Sequence, residues 1–188
     1  MPGKTSKNGK TMCETISGNL LKIFNHGVLV LGKSGVGKSS LALQLIDRGH
    51  QLIADDIVIL QKTQEGKIIG SCPPEIKDYL EIRGFGIVNC KEIFGPQALL
   101  PEIPIDLVLA LQPKPELPST SDQRSVHPAL LTYSLLGMSI RLLNLSYHPT
   151  YNVALLVECA VKSCFNENIL LKQSTKLDNI KQGLSCDF

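Results

Sequence analysis

The octapeptide Gly32-Lys33-Ser34-Gly35-Val36-Gly37-Lys38-Ser39 constrains this chain more than any other feature. It fits the pattern G-x-x-x-x-G-K-[S/T] in full. The run before it, Gly27-Val28-Leu29-Val30-Leu31, is continuously aliphatic and reads as a buried strand. After it, from Lys38 to Arg48, the apolar residues Leu41, Ala42, Leu45 and Ile46 share one helical face, and Gly49 suits a helix stop. A strand, a glycine turn and a helix in that order make an anion cradle. The glycines let backbone N–H groups converge without Cβ clashes, and the helix N-terminus adds roughly half a positive charge. Gly32, Lys33, Ser34, Gly35, Val36, Gly37, Lys38 and Ser39 are therefore the candidate phosphate-binding set. Lys38 is expected to reach the β- and γ-phosphates of a nucleotide, and the Ser39 hydroxyl to bind Mg²⁺.

Leu52-Ile53-Ala54 reads as a second buried strand, closed by Asp55-Asp56. Strand, helix and strand within about 30 residues form a βαβ unit, whose strands run parallel. Residues 20–23, 105–111 and 142–145 read as further strands, and residues 57–60 and 68–69, joined through Gln64-Glu65-Gly66-Lys67, as a hairpin. Residues 75–80 suit a short helical turn, residues 81–86 a glycine-containing loop, and residues 151–164 a helix capped by Thr150. The proline-rich stretch from Pro113 to Ser121 suits an exposed excursion. The fold class is α/β: a P-loop core with a partly parallel sheet, an added β-hairpin and flanking helices. Residues 1–14 are expected to form a flexible tail, 15–165 one catalytic domain, and 166–188 a tail or frayed helix.

Composition narrows the functional classes. Of 188 residues, 43% are hydrophobic and 19% charged, a globular balance rather than a disordered one. Nineteen basic against seventeen acidic side chains leave a charge of +2, too even to argue for nucleic acid or a membrane surface. No apolar run approaches the ~20 residues of a membrane span, and the basic first ten residues lack the apolar stretch of a secretory signal. The six cysteines include no Cys-x-x-Cys pair, and no histidine pair has zinc spacing. They read as reduced thiols of a cytoplasmic protein.

Two acidic sites carry chemistry. At Asp55-Asp56, one carboxylate could hold Mg²⁺ directly or through water while the other accepts a proton from an attacking hydroxyl; the bland alternative is a turn-forming pair. Glu81 and Arg83 flank Ile82 and share a face if extended. They could serve a metal and a transferring phosphoryl group, or form a surface ion pair of little worth. His50 and His127 read as surface residues, and His26 and His148 as structural ones.

These residues together resemble the catalytic domain of HPr kinase/phosphorylase. The matching pieces are the loop at 32–39, Arg48-Gly49-His50, Ala54-Asp55-Asp56, Pro73-Pro74 and Leu80-Glu81-Ile82-Arg83-Gly84-Phe85-Gly86-Ile87-Val88-Asn89. The last is close to that family's Leu-Glu-Ile-Arg-Gly-Leu-Gly-Ile-Ile signature. The resemblance implies phosphorylation of a serine of the phosphocarrier HPr, or an HPr-like protein, using ATP or pyrophosphate with Mg²⁺. It also implies the reverse phosphorolysis and a homo-oligomer. It assigns Lys38 to the phosphate loop, Ser39 and Glu81 to the metal with Asp55 nearby, Asp56 to the general base, and Arg83 to both directions. The family's usual His-Gly pair is Ser17-Gly18 here, and its active-site arginine is replaced by Tyr151. An ATP-binding regulatory module with weak or no transfer is therefore the alternative.

Overall fold

The computed structural model describes residues 12–113, 131–148 and 150–166. The chain divides into two compact units, Met1–His148 and Pro149–Phe188.

In the first unit the strands are β1 (Cys13–Ser17), β2 (Asn19–Ile23), β3 (His26–Leu31), β4 (Gln51–Ala54), β5 (Ile57–Lys62), β6 (Ile68–Ser71), β7 (Tyr79–Ile82), β8 (Gly86–Asn89), β9 (Glu102–Pro113), β10 (Leu131–Leu135) and β11 (Met138–Tyr147). The helices are α1 (Lys38–Asp47) and the single-turn α2 (Cys90–Phe94). Nine strands form one sheet in the order β1-β5-β6-β9-β3-β2-β4, with β11 on β9 and β10 on β11. The strands β3, β9 and β11 are mutually parallel; the remaining pairs are antiparallel. The fold is thus mixed α/β, as the sequence suggests, and the hairpin β5–β6 stands where it is expected.

The βαβ reading needs one correction. β3 and β4 do point the same way, but β2 lies between them and pairs antiparallel with both. Leu20, Leu21, Leu29, Leu52, Leu107 and Leu109 are at most 2% exposed, so this central layer is buried. The direction of β3, β4, β9 and β11 matters more than their adjacency. It brings Leu31, Ala54 and Tyr147, the last residues of three strands, to one edge of the sheet, where α/β folds bind ligands.

Other expectations shift. Cys13 and Glu14 are not tail but strand, paired with Gln61 and Leu60. The loop expected at 81–86 shrinks to a turn at 83–85: β7 and β8 form a separate two-stranded hairpin, with Leu80 and Val88 buried. Its turn is tight because Gly84 and Gly86 take φ of 83° and 115°. The short helical element before it is a 3-10 turn over Pro74–Ile76, since the two prolines fix its entry. The stretch after Pro113 and the regions 1–11 and 167–188 lie outside the described residues, as does His127.

The second unit contains α3 (Val153–Phe165). Its cap is Asn152, not Thr150: the Asn152 side chain accepts from the Leu155 N–H at 3.0 Å.

Candidate active site

The phosphate loop leaves β3 at Leu31 and opens α1 at Lys38. Gly35 and Gly37 adopt φ of 77° and 96°, in the left-handed region, with Val36 between them. This alternation turns successive N–H groups toward one concavity. The loop is held from inside by the Val36 N–H, which donates to the Lys33 carbonyl at 3.2 Å. Lys38 is only 8% exposed, and its Nζ donates to the Gly32 carbonyl at 3.2 Å. Its ammonium is therefore folded over the loop that an anion would fill.

Asp55 organises the rest. It follows the buried β4 and is itself 7% exposed. Its Oδ1 accepts from Asn19 Nδ2 at 2.6 Å and from Ser39 Oγ at 3.0 Å. Its Oδ2 accepts the Glu81 N–H at 3.1 Å. One carboxylate thus ties together the start of α1, the start of β2 and the β7–β8 hairpin. Burial pushes its pKa above the ordinary value, and the neighbouring Asp56 charge pushes the same way, against the hydrogen bonds from Glu81, Ser39 and Asn19. A buried carboxylate so placed gains from a nearby cation.

Asp56 is set differently. It takes φ of 61°, a conformation that aspartate tolerates better than most residues. Main-chain bonds hold it there: its carbonyl accepts from Gly18 N–H at 3.0 Å, and the Ile57 N–H donates to the Asp55 carbonyl at 2.7 Å. Its side chain is exposed beside the buried Asp55. The two adjacent acids therefore differ: one is buried and engaged by the loop serine, the other free to meet a substrate from solvent.

Arg83 lies on the loop. A Cβ added at Gly35 would sit 3.1 Å from Arg83 Nη1. Glu81 reaches Asp55 through its main chain, and its own side chain is exposed. The residues singled out in the sequence (the loop, Asp55, Asp56, Glu81 and Arg83) thus gather at one edge of the sheet.

His50 corrects the surface reading. It is 7% exposed; its Nδ1 accepts from the Phe24 N–H at 3.3 Å, and its ring meets Phe24 edge-on at 4.9 Å. It supports the β2–β3 turn. His26 faces Asp106 at 3.8 Å at the opposite end of β3 from the loop.

Two residues escape sequence reasoning. Asn19 is fully buried and holds Asp55, while its Oδ1 has no hydrogen-bond partner among the described residues. An amide placed directly before the aliphatic pair Leu20-Leu21 is the available signal. Tyr147 donates its hydroxyl to the Val36 carbonyl at 2.6 Å across 111 positions, and no local pattern announces such a contact.

The donor set suits Mg²⁺. Ser39 Oγ and a carboxylate oxygen lie 3.0 Å apart at the helix start, both hard oxygens, and burial is the largest influence raising that carboxylate's pKa. Among the described residues no cluster of three or more His, Cys, Asp or Glu forms a closed metal cage. Mg²⁺ ordinarily takes one or two protein oxygens plus phosphates and water rather than such a cage. Among the described residues no helix is long and apolar enough to cross a membrane.

Comparison with known proteins points to one family. The family model for the HPr serine kinase C-terminal domain matches residues 10–180. An HPr kinase/phosphorylase of Neisseria meningitidis is 40% identical over 147 residues, covering 78% of this chain and 45% of that protein. One from Caldanaerobacter subterraneus is 38% identical over 146 residues, covering 78% and 47%. The chain therefore spans about half the length of the curated relatives it matches. The solved structure of the HPr(Ser) kinase/phosphatase from Coxiella burnetii superposes with a TM-score of 0.70 at 33% identity, covering 80% of this chain and 95% of that one. The chain belongs to the HPr serine kinase C-terminal domain family.

Proposed function

We propose that this member of the family is a Mg²⁺-dependent protein serine kinase that transfers the γ-phosphoryl group of ATP to HPr or an HPr-like phosphocarrier. The observation that carries the reading is the division of labour at Asp55-Asp56. The buried acid is bonded to the loop serine at 3.0 Å, and the exposed one is held out by a left-handed backbone. Phosphoryl transfer requires a cradle for the phosphates, charge neutralisation and a base near the incoming hydroxyl.

Each part has a residue. The loop N–H groups and Lys38 bind the polyphosphate. Ser39 and Asp55 would hold Mg²⁺, with Glu81 close by on the hairpin; bound there, the ion would neutralise charge on the transferring group. Arg83, already over Gly35, adds a second positive charge along the loop. Asp56 accepts the proton of the substrate serine as its oxygen attacks phosphorus and the bond to the ADP oxygen breaks. In phosphorolysis an oxygen of inorganic phosphate attacks the phosphorus of phosphoserine, the bond from phosphorus to the serine oxygen breaks, Asp56 passes to that oxygen a proton taken from the attacking phosphate, and pyrophosphate leaves.

A regulatory, nucleotide-binding role is the second reading. It is favoured by Ser17, which stands where the resemblance places a catalytic histidine and is exposed next to Gly18, the residue whose N–H holds Asp56. Transfer of labelled phosphate from ATP·Mg²⁺ to HPr decides between them. Transfer lost by at least about a hundredfold in Asp56→Asn, within the range ascribed to general bases, with ATP binding kept, supports the kinase. Tight ATP binding without transfer by the unaltered protein overturns it in favour of the sensor.

A further inference from the structure

Tyr147, the last residue of β11, donates its hydroxyl to the Val36 carbonyl at 2.6 Å. The consequence follows from peptide geometry. The Val36 carbonyl and the Gly37 N–H belong to one planar trans unit and point in opposite directions. Anchoring the carbonyl on one side therefore aims the N–H to the other. Gly37 caps α1, so its N–H is among the leading donors that the helix cannot satisfy itself. With φ of 96°, Gly37 has no side chain to restrict that peptide, and a Cβ placed there would still be 3.8 Å from the Tyr147 oxygen. The peptide needs an outside anchor, and the phenol supplies one.

The sheet supplies the phenol. β11 is parallel to β9 with Tyr147 opposite Pro113, so both strands run past the end of β3, whose Leu31 pairs with Ala110. The overhang walls one side of the loop: a Cβ at Gly32 would lie 3.2 Å from the Leu111 carbonyl oxygen. Burial pushes the Tyr147 phenol above its ordinary range, so it stays protonated and able to donate at neutral pH.

We infer that Tyr147 is a positioning residue for the polyphosphate subsite: it fixes the 36–37 peptide so that the Gly37 N–H faces the phosphate next to the one transferred. The inference rests on the reading of the loop as a polyphosphate site, and it names a residue from the far end of the unit as a determinant of its affinity.

Tyr147→Phe removes the hydroxyl and keeps the ring. Calorimetry with pyrophosphate and with ADP, each with Mg²⁺, is expected to show affinity about three- to tenfold weaker in the variant, the effect of one aimed hydrogen bond. Adenosine, which lacks phosphates, serves as the comparison and should show no difference between the two proteins. Thermal unfolding without ligand should change by no more than about 3 °C, as expected for loss of a single bond in a chain of this size. Unchanged pyrophosphate affinity in the variant overturns the inference, as does an equal loss for adenosine. If the unaltered protein binds neither pyrophosphate nor ADP, the polyphosphate reading itself fails and this inference falls with it.

Discussion

Asn19 offers the sharpest test of the electrostatics around Asp55, through Asn19→Leu. The amide is fully buried, donates at 2.6 Å to the carboxylate and leaves its own Oδ1 without a partner among the described residues. Leucine is nearly isosteric, so packing changes little. Losing a hydrogen bond to a charged group costs about 1.5–3 kcal/mol. Removing an unsatisfied buried acceptor returns about 1–3 kcal/mol. The two nearly cancel, and Asp55 keeps its bonds to Ser39 and the Glu81 N–H. The expected change in unfolding free energy is within about 1 kcal/mol, or a Tm shift within about 4 °C for a chain of this size. Asn19→Ala is the contrast. It makes the same exchange and adds a void at a fully buried position, for a further loss of about 2–5 kcal/mol. Urea unfolding of the ligand-free protein near pH 7, followed by circular dichroism, measures both. A loss above about 3 kcal/mol in Asn19→Leu would refute the reasoning, because it would mean that Oδ1 is satisfied and the amide bonds on both sides.

Two further outcomes follow from the same geometry. Asp55 has its folded pKa raised above the ordinary 3.8 by burial first and by Asp56 second. Its penalty is therefore absent below that ordinary value and complete above the raised one, so its contribution to stability improves as pH falls. Unfolding free energies of the ligand-free protein and of Asp55→Asn, compared from about pH 7 to about pH 4.5, should shift in favour of the unaltered protein; a shift the other way would exclude the assigned direction. Separately, Gly27→Ala would place a Cβ 2.0 Å from the Pro104 carbonyl oxygen, main chain that no rotamer change can move. Parting β3 from β9 should cost about 2–3 kcal/mol, read as a lower Tm, and should weaken nucleotide binding because the loop hangs from β3. An unchanged Tm would contradict the tight register between those strands.

Much of this is legible in the amino-acid sequence, and the reason is locality. The run 27–31, the glycine loop and the helical stripe after it are all encoded within about 20 residues, and each obeys a short-range rule of period or backbone freedom. The acids at 55–56 were legible because they close an aliphatic run. What escaped depended on distance along the chain. Whether β2 enters between β3 and β4 is decided by which edges are left unpaired, not by anything written in residues 19–23. His50 reads as a surface residue beside Arg48 and Gly49, and only the fold brings Phe24 against it. The hairpin at 79–89 was hidden by its glycines, which suggested a loop when they served a turn. Asn19 and Tyr147 act through partners 36 and 111 positions away, beyond the reach of any periodicity.

The strand β9 has a consequence for how the chain acquires this arrangement. Its residues pair with 69–71, with 27–31 and with 141–147, so one late segment closes three distant ones. Until residue 111 or so is synthesised, one side of Val28–Leu31 has no neighbour, and the aliphatic run presents an open edge to other chains. Loop-closure entropy over such spans makes assembly slow, as for other sheets dominated by non-local pairing. The glycine loop after β3 is thus sewn shut from behind, and fragments that stop before β9 should clump rather than fold.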